Sequence, residues 1–478
     1  MYAIFLFFFL CLVNSSNSES VFANRFYSCD SPTPRECASS LASSTKTLYE
    51  AYKTDPMIKS ALSSFAASKS AVTVAIENVR KNSPVYIDEI EGAAEGFGTS
   101  AEEVMFLAQL MDGNATSPKL HSSDMYLSLE ADNLLTKERL IGHNDNSPLV
   151  LAHGVIHEVV ITPPPTPKKS KKKERQRGDE ETETETTVTK ERHICLTLPG
   201  IPCGRFWSLN GWGLVLTIND VAGFASERVG EIGRKVLQSN NISSAISVLN
   251  STHSIAATFN ANLGYYNRTA GDAGNACEAD CLASVERVEK TATVLNVPEW
   301  ANKTKSSRYF HTNELIHLAS GGPGTGTGTG TGKTVPPAHE LPSLYRTARF
   351  WQMASSSAAY VCMESMRSAL SDNDGGQNPI FHGLGVGFDL LRGTVEEVQG
   401  GKGAAGDGKG KEAWKLDLKT YIDDGGLLNK SQGKGKTGGG TGAALWLLLL
   451  VLLIGGGWFA REKLGIGKGE SVEYRYIR

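Results

Sequence analysis

The chain has 478 residues, enough for two or three average domains, and its 40% apolar content is sufficient for a folded core. Its 48 Lys and Arg against 51 Asp and Glu give a net charge of −3, which argues against a surface devoted to nucleic acid. Many of its 50 glycines lie in a few late tracts, which predicts spacers and excludes a collagen repeat.

The chain begins with an apolar run. Residues 4–13 read IFLFFFLCLV and are followed by a short polar stretch, the pattern of a signal peptide that we place at residues 1–20. Residues 21–121 are predicted to form an N-terminal helical segment, with residues 56–113 largely helical. The stretch Thr99–Glu102 has the pattern of a capping box, and apolar residues follow it at helical spacing.

A period-2 pattern then marks the change from helices to strands. Met125, Leu127 and Leu129 alternate with Tyr126, Ser128 and Glu130, which predicts a strand. Residues 122–425 are predicted to form the core, with further strands at 140–141, 149–161 and 213–218 and helices at 226–238, 243–249 and 345–370. This order predicts an α/β protein whose helical layers cover a mainly antiparallel core.

Three low-complexity inserts interrupt this core. Residues 163–192 contain prolines followed by a lysine block and an acidic block, which indicates a solvated loop. Residues 321–334 form a Gly-Thr repeat ending in Gly-Lys-Thr, but Thr327 stands where a phosphate loop requires glycine. Residues 400–411 are rich in Gly and Lys, so all three inserts are predicted to lie outside the packed core.

The C-terminal region predicts a membrane anchor. Residues 426–442 form a Gly-rich stalk, and the uncharged residues 443–460 are just long enough to cross a bilayer, although a buried core helix is the alternative. Residues 461–478 would then be the cytoplasmic tail of a single-pass type I protein with a lumenal or extracellular domain. The Tyr474–Ile477 pattern resembles an endosomal or lysosomal sorting signal.

Sequons and cysteine spacing agree with a secretory route. N-glycosylation sequons begin at Asn114, Asn241, Asn250, Asn267, Asn302 and Asn429. The close spacing of cysteines predicts local disulfides, with zinc binding as the alternative; the pairs are Cys29–Cys37, Cys195–Cys203 and Cys277–Cys281. Cys362 is left over and is predicted to be buried or free.

The start of the first core strand carries the residue with the most chemical interest. If the chain is cut before Ser122, this serine gains a free α-amine with a pKa near 8 beside its own hydroxyl. The amine can then act as the general base when the hydroxyl oxygen attacks an amide carbonyl. The alternative is that Ser122 and Ser123 form an ordinary turn or helix cap.

Several motifs, in order along the chain, resemble the acyl-CoA:6-aminopenicillanic-acid acyltransferase family. This family includes the tan-type N-β-alanyldopamine hydrolases and belongs to the N-terminal-nucleophile hydrolases. The resemblance covers roughly residues 45–425, inserts excepted, and its motifs are Lys81–Asp112, Ser122–Asp124, Gly142–Asn146, Leu198–Gly200 with Gly204, Asn210–Asn219, Tyr309–Asn313 and Ser343–Arg346. It implies a four-layer αββα sandwich, followed here by the predicted transmembrane helix, and autocatalytic cleavage.

The resemblance also implies roles for individual residues. Ser122 takes the place of the nucleophile, and Asn313 would donate its amide N–H to the developing oxyanion. Arg346 would hold hydrogen bonds of the site or a substrate carboxylate. Residues Asn144, Asp145 and Asn146 are predicted to form a turn that would orient the nucleophile and its amine. This chemistry needs no metal or organic cofactor, and its partner is a small-molecule amide or acyl donor.

Three positions depart from the family pattern. Ser122 replaces the usual cysteine, His121 replaces the glycine before it, and Asn146 replaces an acid, with Asp145 one place earlier. The expected function is a membrane-anchored amidohydrolase or acyltransferase that acts on a linear amide. The alternatives are an inactive homologue that binds a ligand or partner through its ectodomain, and a receptor-like sorting protein.

Overall fold

The fold is given by a computed structural model of the chain. It describes residues 25–112, 124–128, 139–145, 147–164, 190–221, 228–251, 257–266, 281–288, 291–299, 308–311, 366, 384–390, 394–399 and 411–423. Within these ranges, none of the helices has the length and apolar character needed to span a bilayer. The predicted signal peptide, stalk, membrane span and tail all lie outside them.

The N-terminal segment begins with a strand and continues through five helices. These are β1 (Phe26–Ser31), α1 (Pro34–Thr54), α2 (Pro56–Ser63), α3 (Phe65–Asn82), α4 (Pro84–Phe97) and α5 (Ala101–Met111). Proline in the first turn and a capping side chain start several of them; for example, the Thr33 hydroxyl accepts from the Glu36 N–H at 3.2 Å. The cap of α5 is Ser100, one residue after the predicted Thr99, and its hydroxyl accepts from the Glu103 N–H at 3.2 Å.

The first sheet has eight described strands. Besides β1 they are β4 (Val155–Ile161), β5 (Glu191–Thr197), β6 (Ser208–Asn210), β7 (Leu214–Asp220), β8 (Phe259–Tyr265), β9 (Leu282–Val288) and β10 (Thr291–Asn296). Their order is β1-β4-β5-β6-β7-β8-β9-β10. Neighbouring strands are antiparallel except β1 and β4, which are parallel, so the predicted mainly antiparallel core is confirmed for this sheet.

The second sheet has six described strands, all antiparallel to their neighbours. They are β2 (Asp124–Ser128), β3 (Leu140–Asp145), β11 (Arg308–His311), β12 (Leu384–Asp389), β13 (Thr394–Gln399) and β14 (Lys411–Asp417). Their order is β11-β2-β3-β12-β13-β14, so β2, the strand predicted from the alternation at Met125, is flanked by β11 and β3.

The two sheets pack face to face. The rings of Trp207, which precedes β6, and Phe388 of β12 have centroids 5.9 Å apart. A Cβ atom on Gly264 of β8 would lie 2.8 Å from the Ile141 side chain of β3, so the absence of a side chain here permits close approach of the sheets. The described core is therefore a sandwich of two sheets.

Helices cover the outer face of the first sheet. The helices α7 (Val229–Val236) and α8 (Ile242–Ser251) pack their apolar side chains against β7, β8 and β9. At the other end of the sheet, Cys37 and Leu41 of α1 pack against Val159 of β4. The last described helix, α9 (Leu418–Asp423), follows β14 directly. The predicted helix 345–370 lies outside the described residues except for Met366.

Two segments differ from their predicted structure. Residues 149–161 were expected to form one strand, but α6 (Pro148–His153) precedes β4, because the Ser147 hydroxyl accepts from the Val150 N–H at 3.4 Å and starts a helix. The strand β5 begins at Glu191, inside the predicted insert 163–192. Arg192 belongs to this strand and not to a solvated loop, because its buried guanidinium pairs with Glu158 at 2.7 Å.

The cysteine pairs can be followed in the described residues. The predicted disulfides Cys29–Cys37 and Cys195–Cys203 are confirmed. Cys281 is also in a disulfide, and its partner lies outside the described residues. The first disulfide joins β1 to α1 and the second joins β5 to the loop before β6, so each closes a short local loop.

Candidate active site

The start of β2 lies at the end of the sandwich where β3 and β11 finish. Asp124, the first described residue of β2, is paired with Asn144 of β3, and Met125 is paired with both His143 of β3 and His311 of β11. These three strand ends therefore come together. Ser122 precedes Asp124 by two positions in the sequence and lies outside the described residues.

Asn144 and Asp145 are buried strand residues and not members of an exposed turn. They are 0% and 3% exposed, respectively. The Asp145 carboxylate accepts a hydrogen bond of 2.9 Å from the Ser147 backbone N–H. Burial raises the pKa of Asp145 to about 7, against the opposing influence of that hydrogen bond and of the Arg205 charge. This carboxyl can therefore gain or lose a proton near neutral pH.

Arg205 is the centre of a buried charge cluster at this end of the molecule. It is 3% exposed and donates to Asp220 Oδ1, at the end of β7, at 2.5 Å. Its Nε lies 3.3 Å from Asp112 Oδ1, at the end of α5, and it donates to the Met111 carbonyl at 3.1 and 3.2 Å. Arg205 thus joins the helical segment that precedes Ser122 to the strand β7.

Asp112 is a second buried carboxyl beside Arg205. Its Oδ1 accepts the Gly230 N–H at 3.0 Å, near the start of α7. Burial raises the pKa of Asp112 to about 7, although the charge of Arg205 favours the ionised form. Asp112 and Asp145 are thus two buried carboxyls that both lie within the electrostatic reach of Arg205.

A second polar contact joins the two sheets at the end of β11. His311 Nε2 lies 2.8 Å from Glu286 Oε1 of β9, and both side chains are 0% exposed. The Asn219 side-chain amide of β7 donates to the His311 carbonyl at 3.3 Å. Two residues earlier on β11, the Tyr309 hydroxyl lies 3.3 Å from the Ser284 hydroxyl of β9. Side chains of β11 therefore reach across the sandwich.

The structure describes two of the six predicted site residues, and the predicted roles of all six stay predictions. Asn144 and Asp145 lie together beside the first described residue of β2. The other four predicted residues, Ser122, Asn146, Asn313 and Arg346, lie outside the described residues. Within the described ranges, no group of three or more His, Cys, Asp and Glu side chains is arranged to hold a metal ion.

The cluster around Arg205 and the contact between Glu286 and His311 were not predicted from the sequence. Weak signals for both exist in the motifs quoted above. Asp112 ends the segment that precedes Ser122, Arg205 directly follows the motif glycine Gly204, and His311 lies within the Tyr309–Asn313 motif. No spacing rule connects these residues, because the packing of α5 against the core brings together positions that are remote in the sequence.

Comparison with known proteins yields distant structural similarity only. No family model and no curated protein sequence matches the chain. Among solved structures, it is similar to penicillin V acylase from Agrobacterium tumefaciens, with 13% identity, a TM-score of 0.30, and coverage of 57% of this chain and 82% of that one. A mutant of conjugated bile acid hydrolase from Clostridium perfringens matches with 13% identity, a TM-score of 0.31, and coverage of 58% of this chain and 88% of that one.

A second variant of the same bile acid hydrolase gives 12% identity, a TM-score of 0.29, and coverage of 57% of this chain and 89% of that one. At such low TM-scores we derive neither an activity nor residue roles from these likenesses.

Proposed function

We propose that this protein is an N-terminal-nucleophile amidohydrolase or acyltransferase, of the type that the sequence motifs resemble, acting on a linear amide. Ser122 is the nucleophile and becomes the start of a new chain by self-cleavage. The observation that carries the proposal is the convergence of the start of β2 with the buried Asn144 and Asp145 at one end of a two-sheet sandwich. The signal peptide, lumenal location and membrane anchor are parts of the same proposal.

Self-cleavage consumes one water molecule. The Ser122 hydroxyl oxygen adds to the His121 carbonyl carbon, and the bond from that carbon to the Ser122 nitrogen breaks as the acyl group moves to oxygen. Water then hydrolyses the ester, leaving a carboxylate on His121 and a free α-amine on Ser122. The amine has a pKa near 8, so part of it is unprotonated at neutral pH.

Turnover uses the same atoms in a second reaction. The α-amine takes the hydroxyl proton while the Ser122 oxygen attacks the substrate carbonyl, and the Asn313 amide donates to the resulting oxyanion. The C–N bond breaks, the amine leaves with the transferred proton, and water or a second amine releases the acyl group from the ester. Arg346 holds hydrogen bonds of the site.

Asp145 is the carboxyl that we assign to orient the ammonium form of the Ser122 amine, with Asn144 and Asn146 beside it. Support comes from its burial and from a pKa of about 7, which allows it to be ionised when the amine carries a proton. This assignment compensates for Asn146, which stands where the resembled family has an acid.

The test is denaturing gel analysis of the reduced, deglycosylated full chain, with N-terminal sequencing of each fragment. The wild-type protein should give two fragments that join between His121 and Ser122, and Ser122→Ala should remain a single chain. Ser123→Ala is the matched control, because it removes the neighbouring hydroxyl and should still be cleaved. An unbroken wild-type chain, or cleavage of Ser122→Ala at this bond, would reject the proposal in favour of a non-catalytic ectodomain.

A further inference from the structure

The strand β11 is bound both by its neighbour in its own sheet and by side chains of the opposite sheet. Among the described strands it lies at the edge of its sheet, and its backbone pairs with β2 over only four residues, Arg308–His311. A short edge strand with one neighbour is weakly fixed by backbone hydrogen bonds alone. Further fixation comes from the opposite sheet, through Glu286 and Asn219.

These contacts are polar in a place where a sandwich is normally apolar. Glu286 and His311 are fully buried, and burying such groups is costly unless their geometry is good. An apolar pair would hold the sheets together without that cost. A hydrogen bond differs from an apolar contact because it is directional, so it fixes the position of β11 along its own axis as well as its distance from the first sheet.

Both ends of His311 are held. Its ring is bound by Glu286 at 2.8 Å, and its carbonyl accepts from Asn219 at 3.3 Å. A shift of β11 by one residue would turn the ring away from Glu286, because successive side chains point to opposite faces of a strand. We call Glu286, His311 and Asn219 the inter-sheet clamp.

The clamp lies at the catalytic end of the proposed enzyme. His311 is paired with Met125 of β2, three residues after Ser122, and Asn313 follows His311 by two residues in the sequence. We propose that the inter-sheet clamp fixes the end of β11, the strand that leads in the sequence to the proposed oxyanion donor Asn313, relative to the nucleophile strand β2. Glu286, His311 and Asn219 are then positioning residues for the amide-cleaving reaction. This inference rests on the proposed function.

The clamp would act on the transition state more than on substrate binding. An oxyanion donor acts only when charge develops on the substrate oxygen, and removal of one such donor typically costs about 10²–10³ in kcat. A misplacement of about 1 Å can itself cost about 10²-fold. Loss of the clamp should therefore lower kcat and leave KM nearly unchanged.

The experiment compares variants of the full-length chain by release of p-nitrophenol from p-nitrophenyl butyrate, with the rate of Ser122→Ala subtracted as background. Glu286→Leu removes the acceptor for the His311 ring and should lower kcat by about 10- to 100-fold with KM within about 2-fold. Glu286→Gln keeps an acceptor oxygen of the same reach and should restore most of the rate. Asn219→Ala removes the bond to the His311 carbonyl, keeps the contact between Glu286 and the His311 ring, and serves if Glu286→Leu does not fold.

Ser284→Ala is the matched control on the same strand. It removes a buried hydrogen bond between β9 and β11, at Tyr309, two residues away from the clamp, together with the hydrogen bonds of the same hydroxyl to Asn260 and Asn262 of β8. It should lower the melting temperature but leave kcat within about 3-fold of the wild type, since a structural loss of this size does not move the end of β11. A loss of kcat equal to that of Glu286→Leu would overturn the inference.

A double-mutant cycle separates positioning from a general structural effect. If the clamp acts through Asn313, Glu286→Leu should have little further effect on kcat in an Asn313→Ala background. Equal losses in both backgrounds, or a wild-type kcat for folded Glu286→Leu, would overturn the positioning role while leaving the proposed function intact. A wild-type chain that is uncleaved and no faster than Ser122→Ala would overturn the proposed function and the clamp together.

Discussion

Replacing Glu89 should reveal how strongly the N-terminal helices are tied to the core. Glu89 of α4 accepts from Arg234 of α7 at 2.8 and 3.0 Å, and the two side chains are 8% and 1% exposed. Among the described residues, Arg234 has a further carboxylate partner in Glu191 of β5, at 2.5 Å. Glu89→Leu would leave this buried guanidinium with only that described partner.

Breaking a buried ion pair from one side costs about 3–5 kcal/mol, because the remaining charge stays out of water. Since Glu191 still compensates part of the Arg234 charge, we expect Glu89→Leu to lose about 3 kcal/mol of unfolding free energy, the lower end of this range. The measurement is urea unfolding followed by fluorescence, with the change taken from the shift in midpoint and the slope.

Glu95→Leu is the matched control on the same helix. Glu95 pairs with Arg35 at 2.5 Å, but the two side chains are 52% and 45% exposed, and such pairs contribute at most about 1 kcal/mol. Equal losses of unfolding free energy in the two variants would contradict an uncompensated buried charge as the cause. That result would mean that Arg234 finds water or another acceptor when Glu89 is removed.

Two further predictions concern backbone geometry and pH. Gly204→Ala should cost about 1–3 kcal/mol, because φ is +112° and the new Cβ would lie 2.4 Å from a backbone nitrogen of α7. Gly98→Ala, at φ +74° with its nearest contact at 3.8 Å, should cost less in the same urea assay, and the reverse order would contradict the argument. His157 has its pKa lowered to about 3, first by burial and then by the charge of His193. The stability that this histidine contributes is complete above its unfolded pKa near 6.5 and is lost as the pH falls toward 3. Between about pH 7 and pH 4.5, the unfolding free energy of His157→Gln should therefore fall less than that of the wild type. Equal decreases in the two proteins would contradict burial as the cause.

The parts of the fold that could be predicted are those with a local sequence pattern, such as helix-capping residues or alternating apolar residues. The helical N-terminal segment was predicted from the capping box and the apolar spacing that follows it. The structure adds Pro34 and Pro84, in the first turns of α1 and α4, as local signals of the same kind. The alternation at Met125 and Leu127 likewise marks β2, although the capping box was placed one residue too early.

The bounds of strands buried on both faces could not be predicted in this way. Every residue of β4 is buried, including His157 and Glu158, so no period-2 pattern marks where the strand begins, and the predicted strand 149–161 contains β4 together with most of α6. Arg192 follows a long charged run and was assigned to a solvated loop, yet it stacks on the Tyr421 ring at 3.5 Å to the ring centroid and pairs with Glu158. A charged residue can be buried when it has an oppositely charged partner. The partner of Arg192 is Glu158, which is remote in the sequence, so the charged run alone could not indicate that Arg192 is buried.

The roles of the candidate site residues stay predictions, and sequence motifs can indicate only those site residues that are neighbours along the chain. Asn144 and Asp145 belong to one such motif, and the structure places them beside the start of β2. Arg205 contacts Met111 across 94 positions, so its role arises from the packing of α5 against the core and has no counterpart in any short stretch of sequence.

The positions of the two disulfides with both partners described affect whether the cleaved form could refold after heating. Cys29–Cys37 lies before the proposed cleavage point and Cys195–Cys203 lies after it, so neither links the two resulting chains. Cleavage as proposed would then give two polypeptides that neither of these disulfides joins, and refolding after they separate would require a concentration-dependent encounter between them. The half-life of the cleaved form would therefore be governed by its rate of unfolding. The uncleaved precursor, in contrast, would be able to refold in a unimolecular reaction.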